Sequence, residues 1–458
     1  MKESYSCYRV KICHYSAVFR KTTELYRSAV DFFIHVALSE WEELSVLRGT
    51  KRNNRMEQLT ICTKARPVVP YDFSKDFYKF PSYLRRAAIQ EALGAVSSYR
   101  TRMSEWESRP QKQRGRRPGS PKAGRVFPVL YKDNTYVRVS DCHARIKVFI
   151  RNTWDWLDVE LKASDVRYIL THCQDRSEHC PTLMRKGKEW FLTFPFSEPL
   201  TLPGSERKVR RILSVDLGIN QACVCVAMEP DGTVTGRYFL KLPVEKDCLD
   251  KAVGRIKKAQ QHGASKTPRL WALAKGINDN IAEKTAAFIV DTAAACRADV
   301  IVFEHLELGG RKRGSKKQRL HLWKARKVQR TVTGKAHRLG IRIRRVNAWG
   351  TSSYAFDGSG KVTRSVDGNY SICAFSSGKI YHCDLNAAYN IGARYYIREH
   401  IKSLPETERL AVEAKVPSCA KRSTCTLSSL IRLHAVLSRP GLTATESGLY
   451  GGEEIPSA

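Results

Sequence analysis

Hydrophobic and polar positions switch period along the chain. Residues 8–13 (YRVKIC) alternate, as a half-buried strand does, and residues 22–48 then place Leu25, Val30, Phe33, Val36, Leu38, Trp41 and Leu44 at helical spacing. A second helical pattern opens at Pro81 and Ser82 and carries a core-facing stripe of Ala87, Ile89, Ala92, Leu93 and Val96. Residues 126–208 return to strand patterns, VFPVLY, TYVRVS, ARIKVFI and EWFLTFPF, separated by turn-like stretches. They predict an antiparallel barrel or sandwich that YRVKIC is placed to complete, with the helices between as an insertion.

From Val209 the pattern changes again. ILSVD, ACVCVAM and TVTGRYF read as a strand meander, the last two joined by the turn EPDG. A mostly helical, basic stretch runs to about residue 297. ADVIVFEHL follows as a continuous apolar strand, the signature of burial on both faces. No internal repeat is present, and residues 436–458, small, polar and Gly-rich, are expected to be disordered.

Composition adds a partner. The 458 residues hold 79 Lys+Arg against 45 Asp+Glu, a formal charge of +34, and 42% hydrophobic residues. A minimal module and a disordered basic tail are both excluded. Such a charge on a folded protein calls for a polyanion, nucleic acid first. No run of 18 apolar residues and no signal-peptide pattern appear, so a cytoplasmic protein of the prokaryotic cytosol or nucleoid, without a membrane partner, is expected. The 14 cysteines are then read as reduced, in core or metal roles.

Three acids carry the candidate chemistry. Asp216 ends ILSVD, Glu304 ends DVIVFE, and Asp384 opens the helix DLNAAYNIGARYY. Acids at the ends of apolar strands and at a helix start can meet in a hydrophobic setting only with a counter-ion. Mg²⁺ suits that role and keeps positions open for phosphate and water. Two such ions about 4 Å apart activate a water and stabilise the leaving oxygen of a phosphodiester.

In their order and context, SVDLGIN, VIVFEHL and CDLNAAYNIG, spaced 88 and 80 residues between acids, resemble the three motifs of the RuvC-type nuclease in the TnpB and compact type V CRISPR effector superfamily. The resemblance implies a multidomain α/β protein. Its RNase H-like RuvC nuclease would span 209–347 and 383–435, with Asp216, Glu304 and Asp384 as metal-binding catalytic residues. A β-barrel wedge domain at 1–20 and 126–208 would be interrupted by a helical recognition lobe at 21–125.

Two departures stand out. In the superfamily a zinc ribbon of the form TSxxCxxCG…CxxCG lies between the second and third acids. Here, in the insert at 348–382, Ala355, Gly358 and Ser376 stand at cysteine positions and only Cys373 remains. Structural zinc is therefore not expected. Cys373, His382 and Cys383 are read as packing residues, and Tyr354, Phe356, Tyr370 and Phe375 are expected to supply apolar contacts instead. Tyr389 replaces an Arg often present in the third motif, which predicts a lost phosphate contact. His172-Cys173 and His179-Cys180 fit no common zinc spacing and are also read as packing or loop residues.

The charge is concentrated in two places. Residues 100–125, with nine basic and two acidic residues plus Pro and Gly, read as a solvated loop able to lie along phosphates, with Arg114, Arg116 and Arg117 as candidates. Residues 309–346 hold fifteen Lys+Arg and no acid, and offer Arg311, Lys312, Arg313, Lys316, Lys317, Arg319, Lys324, Arg326, Lys327 and Arg330 for phosphate contact. The resemblance implies an RNA-guided DNA endonuclease. Its partners would be a guide RNA of omega or CRISPR type and a duplex target with a short flanking motif. The short chain suggests a monomer or a homodimer on one RNA. The alternatives are a nuclease-inactive RNA-guided DNA-binding regulator and an unguided RuvC-type junction nuclease.

Overall fold

The computed structural model describes residues 2–14, 17–204, 209–218, 221–306, 323–366, 369–419 and 424–438. Two compact units result: Tyr5–Pro199, and Leu200–Ala458 with Met1–Ser4.

In the first unit β1 (Lys2–Lys11) leads into α1 (Ala17–Ser39), α2 (Trp41–Val46), α3 (Thr50–Thr60), α4 (Phe73–Asp76) and α5 (Ser82–Ser108). The sequence stripe faces inward: α5 buries Leu84, Ala87, Ala88, Ile89, Ala92, Leu93 and Val96 against α1. Strands β2 (Tyr136–Arg138), β3 (His143–Ile150) and β4 (Thr153–Glu160) form one antiparallel sheet. After α6 (Ala163–His172), β5 (Ser177–Glu178), β6 (Thr182–Lys186) and β7 (Glu189–Leu200) join β1 in a second.

Helices and strands share a single core. Phe80 packs edge-on against Trp154 of β4 at 5.0 Å, and the Phe149 N–H donates to Thr22 Oγ1 at 2.9 Å. The expected barrel is not formed: an isolated bridge, Ile12–Leu161, links the sheets, and the described strands do not close. VFPVLY is also not a strand. Pro128 stands opposite Leu183 and Pro181 opposite Leu130; each proline carbonyl accepts a hydrogen bond, but neither has an N–H to return one, which leaves one bridge, Val129–Thr182, in place of a ladder.

The basic stretch at 100–125 is helical to Ser108, because nothing breaks α5 until Pro110 forces Arg109 into an extended conformation. His172 ends α6 with its ring on Tyr168 at 4.1 Å, while His179 Nε2 bonds Ser197 Oγ at 2.7 Å.

The second unit is built on a five-stranded sheet of order β10-β9-β8-β11-β12. Its strands are β8 (Ile212–Asp216), β9 (Cys223–Met228), β10 (Val234–Leu240), β11 (Val300–His305) and β12 (Arg342–Asn347). The first three make the antiparallel meander, and β11 pairs in parallel with both β8 and β12. A parallel return needs a crossover, which α7 (Pro243–Gln261) and α8 (Pro268–Ala295) provide between β10 and β11.

Both sheet faces are covered, which explains the unbroken apolar runs in β8, β9 and β11. Leu213, Val215, Ile301 and Phe303 pack on α8 and on α9 (Ala325–Arg338). Ile212, Val300 and Val302 pack on α10 (Cys383–Lys402) and its neighbours, α11 (Glu406–Lys415) and α12 (Leu427–Leu437). Gly392 permits this approach, since a Cβ there would stand 3.0 Å from Met228 Sδ and 3.2 Å from Ser214 Oγ. The insert is a separate antiparallel sheet of β13 (Thr363–Val366), β14 (Asn369–Ala374) and β15 (Ile380–His382). Helix α12 reaches Leu437, so residues 436 and 437 of the expected tail are helical, and 439–458 lie outside the described residues. Among the described residues no helix is long and apolar enough to cross a membrane.

Candidate active site

Strand periodicity aims the acids. Val215 of β8 and Phe303 of β11 are register partners facing α8 and α9, so the next residues, Asp216 and Glu304, turn to the opposite face. That face is covered by α10, to which Ser214 Oγ donates at the Ala388 carbonyl (2.8 Å). Asp384 is in the first turn of this helix, where the N-terminal dipole favours an anion. Because β8 and β11 are parallel, both strand acids also fall at carboxyl ends, the edge where open α/β sheets bind ligands.

Electrostatics register the convergence. Burial raises the Asp216 carboxyl well above its ordinary range, and the charges of Glu304 and then Asp384 raise it further against the opposing Arg364. Burial likewise raises Glu304, opposed by the Thr351 hydroxyl bond and by Arg394. Asp384 is raised by burial and held back by His382, Arg364 and Lys246. Among the described residues no three or more His, Cys, Asp or Glu side chains are grouped so as to hold a metal ion, the three acids included. The donors still suit a hard cation. They are half-buried and all-oxygen, with Glu304 and Asp384 both repelling Asp216, and Mg²⁺ is typically held by one or two carboxylates with water and phosphate completing the shell.

A stripe of polar residues on α10 holds the loop after β12 beneath Glu304. Asn386 Nδ2 donates to the Tyr354 carbonyl at 2.9 Å, and Asn386 Oδ1 accepts from the Phe356 N–H at 2.8 Å. Asn390 donates to the carbonyls of Thr351 and Tyr354, both at 2.9 Å. Arg394 donates to those of Asn347 (2.9 Å), Trp349 (2.7 Å) and Cys425 (3.3 Å). The loop so fixed presents Thr351, whose hydroxyl donates to Glu304 Oε1. Sequence reasoning quoted this helix but gave these three residues no role. Their signal was legible: polar side chains at four-residue intervals on a helix of otherwise small or apolar residues.

Arg364 and Lys246 were also missed. One sits in β13 and the other in α7, remote in sequence from every acid motif. Of the sequence candidates, Arg311, Lys312, Arg313, Lys316, Lys317 and Arg319 lie outside the described residues. Lys324 and Lys327 pair with Asp279 of α8, while Arg326 and Arg330 are exposed on α9. In the first unit Arg114 donates to the carbonyls of Arg109 (2.8 Å) and Glu107, and Arg116 and Arg117 are exposed.

The insert holds its shape with a small core of Ala355, Cys373, Phe375 and Cys383, joined by Phe356 and Tyr381. Phe356 and Phe375 are the expected aromatic contacts. Tyr354 contributes chiefly its carbonyl, and the Tyr370 side chain is outside the described residues. Tyr389 joins this cluster, its ring 5.0 Å from Phe356 and its hydroxyl accepting from Arg237 Nε at 2.5 Å.

A polar staple links the two loops that would carry zinc ligands in a ribbon. Asp357 accepts from the Ser359 N–H (3.0 Å) on one loop and from Ser377 Oγ (2.8 Å) on the other. Burial raises the Asp357 carboxyl, but these bonds and Lys379 outweigh it and leave the pKa lowered. Its stabilisation is therefore present at neutral pH and lost as pH falls below the ordinary Asp value of about 3.9. Asp357→Ala should cost about 1.5–3 kcal/mol locally, seen as faster amide exchange in β14. A zinc-selective chelator should leave that exchange unchanged.

Comparison with known proteins gives limited matches. A profile of the Aq_aa04 family matches residues 6–150. The uncharacterized protein aq_aa04 of Aquifex aeolicus (strain VF5) is 26% identical over 141 residues, 27% of this chain and 76% of that protein. Solved structures aligned with the chain include a Cas12f1–sgRNA–target DNA complex, at 14% identity and TM-score 0.49 over 82% of this chain and 81% of the other. The mini-RNA-guided endonuclease CRISPR-Cas_phi3 aligns at 11% identity and TM-score 0.48 over 85% and 92%. The functional reading rests on the site itself.

Proposed function

We propose that this chain is an RNA-guided DNA endonuclease with an RNase H-like, RuvC-type catalytic domain, related to TnpB and the compact type V effectors. The observation that carries it is the position of Asp216, Glu304 and Asp384 at the ends of two parallel strands and at a helix N-terminus on one face of a mixed sheet, where Glu304 and Asp384 both act on Asp216. The order β10-β9-β8-β11-β12, with an antiparallel meander and two parallel strands, supports the RNase H-like assignment. The acid-free basic run at 309–346 supports a nucleic-acid substrate.

In this reading Asp216, Glu304 and Asp384 hold two Mg²⁺ ions. When bound, the metal activates water and stabilises the leaving oxygen of a phosphodiester. The Thr351 hydroxyl fixes one oxygen of Glu304, and Asn386, Asn390 and Arg394 keep Thr351 in place. Arg364 and Lys246, the cations that act on the carboxylates, are positioned to attract substrate phosphate. Sequence choice belongs to the guide RNA by pairing, and the protein contributes flanking-motif recognition and backbone contacts to the heteroduplex.

The test is purification of the full chain, sequencing of the RNA it carries, and incubation with matched duplex and Mg²⁺. A discrete RNA and guide-dependent scission are expected. Stable binding without scission would favour a regulator, and absence of RNA would count against any guided function.

A further inference from the structure

We propose that a cavity adjoining the carboxylates receives one unpaired nucleobase of the strand being cut, an inference that rests on the nuclease reading. The cavity, about 250 Å³, is lined by residues including Leu217, Gly218, Lys246, Asn278, Trp323 and Val328. It borders the acid site directly: Leu217 and Gly218 immediately follow Asp216. A Cβ at Gly218 would stand 2.7 Å from the Gln221 carbonyl oxygen and 3.5 Å from Asp384 Oδ2. Only glycine leaves the wall between cavity and acid this thin. Lys246 belongs to both, since it lines the cavity and its charge acts on Asp384.

Besides Lys246, Lys324 and Asp250, the lining carries apolar and aromatic surface that suits a base. Leu217, Val328 and Ala282 give flat apolar walls, and Trp323, half-buried, offers an indole for stacking. At about 250 Å³ the cavity is smaller than the roughly 300–1,000 Å³ of sites for drug-sized ligands. It is large enough for a single base. Stacking is sequence-tolerant, as an enzyme cutting any guided target requires. A base seated here leaves its own phosphate beside Lys246 and the carboxylates, so the cavity sets which phosphate is presented.

The test uses the full chain with its guide RNA and target strands carrying a single abasic nucleotide at successive positions around the cut. One position should lose on the order of tenfold in cleavage rate, the scale of one lost stacking contact. In Trp323→Ala that position should lose no more than its neighbours, because the contact is already gone. Equal cleavage of all abasic strands by the parent protein would overturn the cavity assignment and leave the nuclease reading standing.

A second measurement does not need cleavage. Single-stranded DNA with 2-aminopurine at the sensitive position, or scanned through the strand if none is found, is bound to the Asp216→Ala protein. Emission should change on binding at one position, and Trp323→Ala should remove that change. No Trp323-dependent change at any position would overturn the proposal, whereas such a change together with a parent protein that cuts no guided target would uphold the cavity and sink the nuclease.

Discussion

Asp216→Ala is expected to abolish guided cleavage, by on the order of 10³-fold or more if the several kcal/mol of metal-supplied stabilisation is lost. Guide-dependent DNA binding should persist, because the half-buried side chain interacts with the other acids instead of forming part of an extended surface. Cleavage and binding gels with one matched duplex separate the two effects. An Asp216 variant that cuts normally would refute the site.

The same carboxyl has a predictable effect on stability. Its folded pKa is raised by burial and by two neighbouring acids, so without metal it opposes folding above its unfolded value, and the deficit disappears as pH falls. Asp216→Asn, of the same shape and without the charge, should therefore raise the metal-free Tm at neutral pH, by about 2–4 °C for each kcal/mol recovered. Mg²⁺ should raise the Tm of the parent protein and do little for this variant. A lower metal-free Tm in Asp216→Asn would contradict the charge argument.

Arg394→Met should be the most damaging single change in the second unit. The guanidinium is 5% exposed and serves carbonyls at the end of β12, in the following loop and before α12. Methionine fills similar space and donates nothing. Each of the three orphaned carbonyls costs about 1–3 kcal/mol, so we expect a loss of about 3 kcal/mol or more in denaturant unfolding. Cleavage should also weaken because Thr351 is released from Glu304. Exposed Arg326→Met on α9, with the same loss of charge, should leave stability within about 0.5 kcal/mol.

Where local pattern and final environment agree, the sequence was a sufficient guide. The stripes of α1 and α5 face the core they predict, and the unbroken apolar runs of β8, β9 and β11 match a sheet covered on both faces. It failed where a backbone donor or a distant partner decides. VFPVLY has strand composition, but Pro128 removes the ladder hydrogen bond, and separate sheets stand where a barrel was expected. The ion pairs of Lys324 and Lys327 with Asp279, 45 and 48 residues earlier, are likewise not visible in the basic run itself.

The candidate site divides in the same way. Asp216, Glu304 and Asp384 are legible because each must end a strand or open a helix, and local spacing encodes that. Arg364, Lys246 and the Asp357 staple are not, because their partners lie on other elements and pair only when the sheet, α7 and the insert come together. The sequence by itself determined the elements, the three acids and the polyanion-seeking charge. Only the tertiary structure decided which cations face the acids, what replaces the missing ribbon cysteines, and that a cavity opens beside Asp384, since each depends on long-range packing that no local period records.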